Sequence, residues 1–232
     1  GKLELVLFDY ALEHMCRISR IITQDRSSAL LVGVGGSGKQ SLCRLASFIA
    51  GNFIFQITIT KHYNVGNLFD DLKSVHRVAG VQAKHVTFML SDAEVKDETF
   101  LEYFNQLLST GEVQNLFPKD ELDGAAADCR NRAKKEIPGF IDTNDNLVAY
   151  FMGNVRNNIH ICMCFSPVGD KLSSRARKFP GLINCCTIDW FLQWPAEGLK
   201  NVSERFIGAF TMETTEATKQ ALMSHMGNVH KI

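Results

Sequence analysis

The chain has 232 residues, of which 45% are hydrophobic and 22% charged, and its 25 basic residues balance its 25 acidic ones. This composition is typical of a globular protein with one large domain, or one domain and a fragment. The zero net charge argues against a nucleic-acid partner or an anionic membrane surface, and no apolar run approaches the roughly 20 residues of a membrane span. The first residues lack a signal-peptide pattern, and we expect them to begin an excised piece of a longer protein.

The first part of the chain predicts two strands, each followed by a helix. An apolar run over residues 29–34 is typical of a buried parallel strand. Apolar residues at helical spacing follow it, and Gly51 is expected to end that helix. β-forming residues predict a second strand over 53–59, and amphipathic spacing predicts a helix over 66–79.

The middle of the chain predicts one more strand and helix before a polar insertion. Residues 86–90 form the next apolar run. Asp97 and Glu98 are expected to open a helix that Gly111 ends, because acidic residues favour a helix start and glycine a helix end. The mixed, polar stretch 112–146 is interpreted as an insertion that contains one short helix.

The last part predicts two further strands. A helix over 147–156 precedes a continuous apolar strand over 159–165. A short basic helix over 171–178 leads to a strand near 184–188, and a final helix is expected to begin with Pro195 at its first position. Five strands separated by helices predict an α/β fold with a parallel sheet between helical layers. Ligands of such sheets bind at the carboxyl ends of the strands.

A glycine-rich loop between the first strand and the first helix carries the clearest functional signal. Gly33, Gly38 and Lys39 meet the phosphate-binding pattern G-x-x-x-x-G-K. Glycines let backbone N–H groups close on phosphate oxygens, and the following helix N-terminus and lysine add positive charge. The alternative is a glycine-rich turn with a chance lysine, but the order strand, loop and helix favours a nucleotide site. The residues predicted to bind nucleotide are Gly33, Val34, Gly35, Gly36, Ser37, Gly38, Lys39, Gln40 and Ser41.

The loop departs from the usual pattern at one position. A serine or threonine normally follows the lysine and binds Mg²⁺, whereas this chain has Gln40 there. Ser41 does not simply replace it, because one further residue turns about 100° around a helix. The departure leaves open whether the nucleotide is hydrolysed or only held.

A second nucleotide-linked position follows the third strand. In P-loop ATPases an acidic residue at such a strand end helps to hold Mg²⁺, and in AAA+ proteins a following glutamate polarises the attacking water. Here Ser91 takes the place of the metal-linked acid and Asp92 that of the glutamate, one methylene shorter. A helix cap or turn is the alternative role for Asp92, and Glu94 is a less favoured base.

The seven cysteines form no C-x-x-C pair and are expected to be reduced and mostly buried. Along the strand over 159–165, His160, Cys162 and Cys164 share one face, which suggests a metal site. Alternate residues of a strand lie about 6.6 Å apart at Cα, so three in a row diverge instead of converging on one ion. We therefore expect no metal there.

Taken together, these motifs resemble the fourth AAA+ module of a dynein heavy chain, most closely of the axonemal (ciliary) branch. The resemblance covers nearly the whole chain. It is carried by residues 33–42, 100–102, 111–117, 165–170, 177–191, Trp194-Pro195 and 5–18.

The resemblance implies a part of a large motor. Dynein heavy chains are minus-end-directed microtubule motors with six AAA+ modules in one ring, and they hydrolyse ATP mainly in the first module. The fourth module precedes the stalk that carries the microtubule-binding tip. The implied partners are the adjoining AAA+ modules, other dynein chains and, only through a stalk outside this chain, the microtubule; the implied location is the cytoskeleton of a ciliary or flagellar axoneme.

The resemblance also implies a domain division and roles for further residues. Residues 1–210 correspond to the large α/β subdomain and 211–232 to the start of a helical lid. Ser166 corresponds to a polar sensor position, and Asp92 and Ser41 are the candidates for contact with Mg²⁺. The implied cofactor is ATP or ADP, with Mg²⁺ weakly held.

Four more residues are assigned by the resemblance. Arg175 and Arg177 lie where AAA+ modules offer an arginine finger to a neighbour's nucleotide, and a solvated basic helix end is the alternative. Val6 and Leu7 are candidates to flank the adenine. Three hypotheses follow: a regulatory module that binds nucleotide with slow or no hydrolysis, an active ATPase module, and a structural ring element without nucleotide.

Overall fold

The computed structural model describes residues 6–229. Segments 1–5 and 230–232 lie outside the described residues, and with them the first positions of the family resemblance and the end of the expected lid. Within the described part, five strands form a single sheet with helices on both faces, as the sequence predicts. None of the helices described is both long enough and apolar enough to cross a membrane.

The elements follow one another as alternating strands and helices. The strands are β1 (Ala29–Gly33), β2 (Phe53–Gln56), β3 (Val86–Ser91), β4 (Ile159–Phe165) and β5 (Thr187–Phe191). The first helices are α1 (Asp9–Ile22), α2 (Lys39–Ala50), α3 (Val65–Gly80), α4 (Phe100–Thr110), α5 (Lys119–Asp128) and α6 (Arg130–Glu136). The remaining helices are α7 (Asn144–Asn158), α8 (Lys171–Lys178), α9 (Gly181–Asn184), α10 (Ala196–Gly208) and α11 (Glu216–Val229).

The sheet is parallel throughout, in the order β2-β3-β4-β1-β5. All residues of β1, β3 and β4 are buried, which explains their continuous apolar sequences, whereas β2 and β5 are edge strands with exposed positions. Because the strands run in one direction, their carboxyl ends meet at one edge of the sheet. The glycine loop and the residues after β3 and β4 therefore lie together.

Two hydrophobic cores lie on opposite faces of the sheet. The alternation of a strand divides β1 between them: Leu30 and Val32 face the core under α3, α4 and α7, whereas Ala29 and Leu31 face the core under α1 and α2. The loop after β1 is thus anchored on both sides of the sheet.

Several predicted boundaries agree with the structure. Gly51 and Gly111 adopt the left-handed conformation that ends α2 and α4. The ranges predicted for β4 and α8 are those observed.

Other predicted elements are wrong in extent. The strand predicted over 53–59 ends at Gln56. The polar stretch 112–146 holds two helices and the start of α7, where one short helix was expected. The two helices form because buried Ala125, Ala126 and Ala133 pack this stretch onto the core. The strand predicted near 184–188 is shifted, since residues 181–184 form α9, fixed where the Gly181 N–H donates to Asn105 Oδ1.

Two features near the ends of the described chain also differ from expectation. Pro195 lies just before α10 as its cap and is not its first helical residue. Helix α1 was not predicted, although its apolar face packs on the sheet.

Buried His76 on α3 makes stability depend on pH. Its Nδ1 lies 2.7 Å from the Leu72 carbonyl oxygen, and its Nε2 has no partner among the described residues. Burial lowers the pKa of His76 to about 4, despite the opposing effect of the Leu72 hydrogen bond. Between pH 6.5 and 4 the unfolded chain binds a proton that the folded chain does not, so stability falls as the pH falls.

We expect the wild type to lose about 2 kcal/mol more free energy of unfolding between pH 7 and pH 5 than His76→Leu loses. Denaturant titrations of both proteins at both pH values measure this difference, and each protein serves as its own reference. Equal losses would show that the pKa of His76 is the same in the folded and the unfolded chain.

Candidate nucleotide-binding site

The glycine loop has the backbone geometry of a phosphate cradle. Gly36 and Gly38 have φ angles of 76° and 89°, in the left-handed region that glycine adopts without strain. Side chains at Gly35 and Gly36 would meet open space, so the loop N–H groups are approachable there. Gly33 allows β1 to pack closely against β5, because a Cβ at that position would lie 2.6 Å from Phe191 Cβ.

Lys39 places its ammonium group inside this loop. Its side chain is only 8% exposed, and Nζ donates to the carbonyl oxygens of Gly33 at 2.6 Å and Val34 at 2.8 Å, and to Ser37 Oγ at 3.0 Å. Burial lowers the pKa of Lys39, although nearby Cys164 and Asp92 oppose this. Phosphate oxygens are stronger acceptors than these neutral groups, so the lysine can exchange them for a phosphate.

An open cleft of about 470 Å³ lies beside the loop and includes the strand ends. Three residues predicted as site residues, Ser91, Asp92 and Ser166, line it together with Cys164. The loop residues that line it are Gly33, Gly35, Gly36, Ser37, Gly38, Lys39, Gln40 and Ser41. The structure therefore brings the predicted phosphate-linked residues together at one edge of the sheet.

A second, more apolar pocket of about 180 Å³ adjoins the other side of the loop. Val6 lines it, whereas Leu7 is 45% exposed and is not among its lining residues. Phe8, Trp194 and Phe206 also line it, and the sequence analysis did not identify these three as binding residues. Their position beside the phosphate cradle suits a flat nucleobase.

Trp194 joins this pocket to the loop. Its Nε1 donates to the Ser37 carbonyl oxygen at 3.1 Å, and its ring contacts the Phe8 ring edge-on with centroids 5.3 Å apart. From the sequence, the Trp194-Pro195 pair supported the family resemblance and Pro195 a helix start, and Trp194 was assigned no contact with the loop. The sequence did offer one signal for this contact. Trp194 is an aromatic residue that closely follows the last strand, and the carboxyl end of that strand lies beside the loop.

The Asp92 carboxylate is engaged within the chain. Its Oδ2 accepts the Ser166 backbone N–H at 2.8 Å, and its Oδ1 accepts Arg175 Nη1 at 2.5 Å. Arg175 is 3% exposed, and its other donors bind Glu98. The expectation that Arg175 reaches a neighbouring module is therefore wrong for this conformation, because a buried ion-paired guanidinium does not extend outward.

Arg177 lies two residues further along α8 and is exposed. Within residues 6–229 it has no ion pair, so its guanidinium is accessible at the surface. Its role stays a prediction.

The Ser91 hydroxyl is hydrogen-bonded to Glu94. Both the backbone N–H and the Oγ of Ser91 donate to Glu94 Oε2, at 2.6 and 2.5 Å. Glu94 Oε1 accepts Gln56 Nε2 at 2.8 Å, and Arg44 donates to Gln56 in turn. Glu94 thereby links the end of β3 to Gln56 on β2.

The residues present fit a nucleotide better than they fit Mg²⁺. Mg²⁺ requires near-octahedral oxygen ligands. Gln40 is exposed, Asp92 is committed to Arg175, and the described residues include no group of three or more His, Cys, Asp or Glu side chains that could hold a metal ion. Ser41 is the hydroxyl that lines the cleft near the start of α2. A bound Mg²⁺ would depend mainly on phosphate and water oxygens, with little support from the protein.

The histidine and cysteines of β4 are engaged with neighbouring groups. His160 contacts His85 and the Ser27 carbonyl oxygen, at 3.0 and 2.9 Å. A hydrogen bond to Cys43, together with burial, raises the pKa of the Cys162 thiol well above its usual value. Protonated thiols are poor metal ligands.

Known proteins similar to this chain include a P-loop family and dynein heavy chains. The family described as the P-loop containing dynein motor region D4 matches residues 3–232. Dynein axonemal heavy chain 5 of Mus musculus is 54% identical over 226 residues, which cover 97% of this chain and 5% of that protein. Dynein axonemal heavy chain 8 of Homo sapiens is 51% identical over 228 residues, covering 98% of this chain and 5% of that protein.

A solved structure of the Aeropyrum pernix ORC2 protein is also similar, with a TM-score of 0.48 and 14% identity over 88% of this chain and 53% of that one. The chain spans about 5% of the length of the curated relatives named above. The family match and the sequence identity agree along almost the whole chain. The chain therefore belongs to the dynein heavy-chain family, as its P-loop-containing AAA+ motor region D4, with axonemal heavy chains among its relatives.

Proposed function

We propose that this chain is a regulatory nucleotide-binding module, the fourth AAA+ module of an axonemal dynein heavy chain, and that it holds ATP or ADP with weak or no hydrolysis. One observation carries the proposal. The phosphate cradle with Lys39 adjoins an apolar pocket of about 180 Å³ that aromatic side chains line, while Asp92, the candidate base, is held by Arg175.

Binding and hydrolysis make different demands on the site. Binding needs backbone donors, a cation and a place for the base, all of which this loop and pocket offer. Hydrolysis also needs a metal that neutralises the charge on the transferring oxygens and a group that orients the water. Gln40 and Ser91 stand at the two metal-linked positions, where a serine or threonine and an acidic residue are usual, so neither position offers the usual ligand. Weak metal support should impair hydrolysis more than binding.

Two alternatives remain as outcomes of the tests below. An active ATPase module would require Asp92 to leave Arg175 and contact water. A structural ring element without nucleotide would leave the buried Lys39 and the open glycine backbone without a role.

The wider setting of the module is part of the proposal. The partners are the adjoining AAA+ modules of the same heavy chain, other dynein chains and, through a stalk beyond this chain, the microtubule, in a ciliary or flagellar axoneme. Residues 1–210 form the large subdomain and 211–232 begin a helical lid. Arg177 is the remaining candidate to reach a neighbour's nucleotide.

The Lys39→Ala variant should weaken ADP binding by about 10- to 100-fold, because it removes a charge-assisted contact with phosphate. Titration calorimetry measures the affinities. Lys84→Ala is the matched control, since Lys84 is an exposed lysine before the amino end of β3, at the opposite edge of the sheet. Equal affinities of Lys39→Ala and wild type would exclude the phosphate cradle.

The Trp194→Ala variant should weaken ADP binding by about tenfold and leave pyrophosphate binding nearly unchanged, because only the base occupies the apolar pocket. Trp190→Ala is the control; Trp190 is 54% exposed on β5 and does not line the pocket. A similar loss for both ligands would mean that Trp194 supports the loop and does not contact the base.

Turnover by the chain should be far below the roughly 1 s⁻¹ at the slow end of ordinary enzymes, and Asp92→Asn should leave it unchanged. Phosphate release from ATP with Mg²⁺ gives the rate. Rapid release that Asp92→Asn abolishes would establish the active ATPase instead.

A further inference from the structure

We propose that Arg175 is a positioning residue of the nucleotide site: it holds the Asp92 carboxylate so that this group does not bind Mg²⁺, and nucleotide affinity becomes nearly independent of the metal. The inference rests on the proposed nucleotide-binding function and adds to it a way in which the chain sets its own metal dependence.

Two neighbours, Glu98 and Phe165, fix the position of Arg175. Nε lies 3.1 and 3.2 Å from the two carboxylate oxygens of Glu98, and Nη2 lies 2.8 Å from Glu98 Oε1. The guanidinium carbon lies 4.6 Å from the centre of the Phe165 ring, at the end of β4. A guanidinium that is both stacked and paired along one edge has little freedom, so the direction of Nη1 is determined.

Nη1 is directed at Asp92. The 2.5 Å contact with Oδ1 and the Ser166 N–H on Oδ2 together engage both oxygens of that carboxylate. Asp92 is the one acidic side chain among the described residues that line the cleft. The sole anionic metal ligand that the cleft offers is thereby already paired with a cation.

The charges explain why this pairing excludes a metal. A Mg²⁺ ion at Asp92 would have to share Oδ1 with the guanidinium, and two cations at one oxygen repel each other. The side chain of Arg175 is 4% exposed and that of Asp92 is 35% exposed, so water screens this repulsion only in part. If the guanidinium were removed, Asp92 would face the cleft as an uncompensated carboxylate, which is a favourable ligand for Mg²⁺.

Glu98 supplies the other half of the arrangement. It lies just before α4 and engages Nε and Nη2 of Arg175, so that only Nη1 remains for Asp92. The cluster connects the end of β3, the start of α4 and the middle of α8. A purely structural ion pair would make the same connection, so stability measurements do not distinguish the two roles, whereas the metal dependence of nucleotide affinity does.

The experiment measures the ADP affinity of the 232-residue chain by titration calorimetry, in excess EDTA and in excess Mg²⁺. The quantity compared between variants is the affinity in Mg²⁺ divided by the affinity in EDTA. We expect a ratio within about threefold of unity for the wild type and a ratio raised by about tenfold in Arg175→Met. The double variant Arg175→Met with Asp92→Asn should return to the wild-type ratio, because the freed ligand is then removed. Arg175→Lys, which keeps the charge, should stay near the wild type.

Arg177→Met is the matched control, because Arg177 is an exposed arginine on the same helix. It should leave the ratio unchanged. An Arg175→Met protein with the wild-type ratio, or a raised ratio that persists in the double variant, would overturn the inference while leaving nucleotide binding intact. A wild-type chain that binds no ADP under either condition would instead overturn the proposed function and this inference with it.

Circular dichroism establishes whether Arg175→Met folds. If it does not, Asp92→Asn in the wild-type background decides: the inference requires its ratio to match that of the wild type, because Asp92 is not a metal ligand while Arg175 is present. A ratio that falls in Asp92→Asn would show that Asp92 binds Mg²⁺ in the presence of Arg175, and the inference would be wrong.

Discussion

The parallel direction of all five strands is the constraint on which the site depends. Because every strand ends at the same edge, the parallel pairing of β1 with β4 and of β3 with β4 brings the loop after β1 and the residues after β3 and β4 together there. β1 lies inside the sheet, between β4 and β5, and is buried on both faces, which holds the start of its loop in place. The phosphate cradle is thus a direct consequence of how the sheet is built.

The two halves of the site differ in what holds them. The phosphate half is formed by backbone groups and one lysine, so it depends on loop conformation and on few side chains. The half that would serve hydrolysis depends on carboxylates and hydroxyls, and in this chain those side chains bind one another: Asp92 binds Arg175 and Ser91 binds Glu94. The backbone groups that would bind phosphate therefore stay available, while the side chains that would serve hydrolysis are paired with one another.

The sequence predicted the parts of this arrangement that follow from local patterns. The glycine loop, the strand β4 and the alternation of strands and helices were all evident, because spacing and glycine conformation determine them. Predictions that depend on the direction of a side chain did not follow from spacing. Arg175 and Arg177 are only two residues apart on one helix, yet one is buried against Phe165 and the other is exposed, and helical periodicity alone does not state which face meets the sheet. The role of Trp194 was missed for a similar reason, since its contact with Ser37 spans 157 residues of sequence.

The hydrogen bond from Trp194 to the Ser37 carbonyl oxygen joins the loop to the residue just before the C-terminal helices. Only Pro195 separates Trp194 from α10, and its fixed ring stiffens this short linker. Any phosphate that reorients the Ser37 peptide must either break this bond or displace the indole with it. A small rotation of the Ser37 peptide would therefore change the angle between α10 and the sheet, and the change in position would be larger at the far end of the helix.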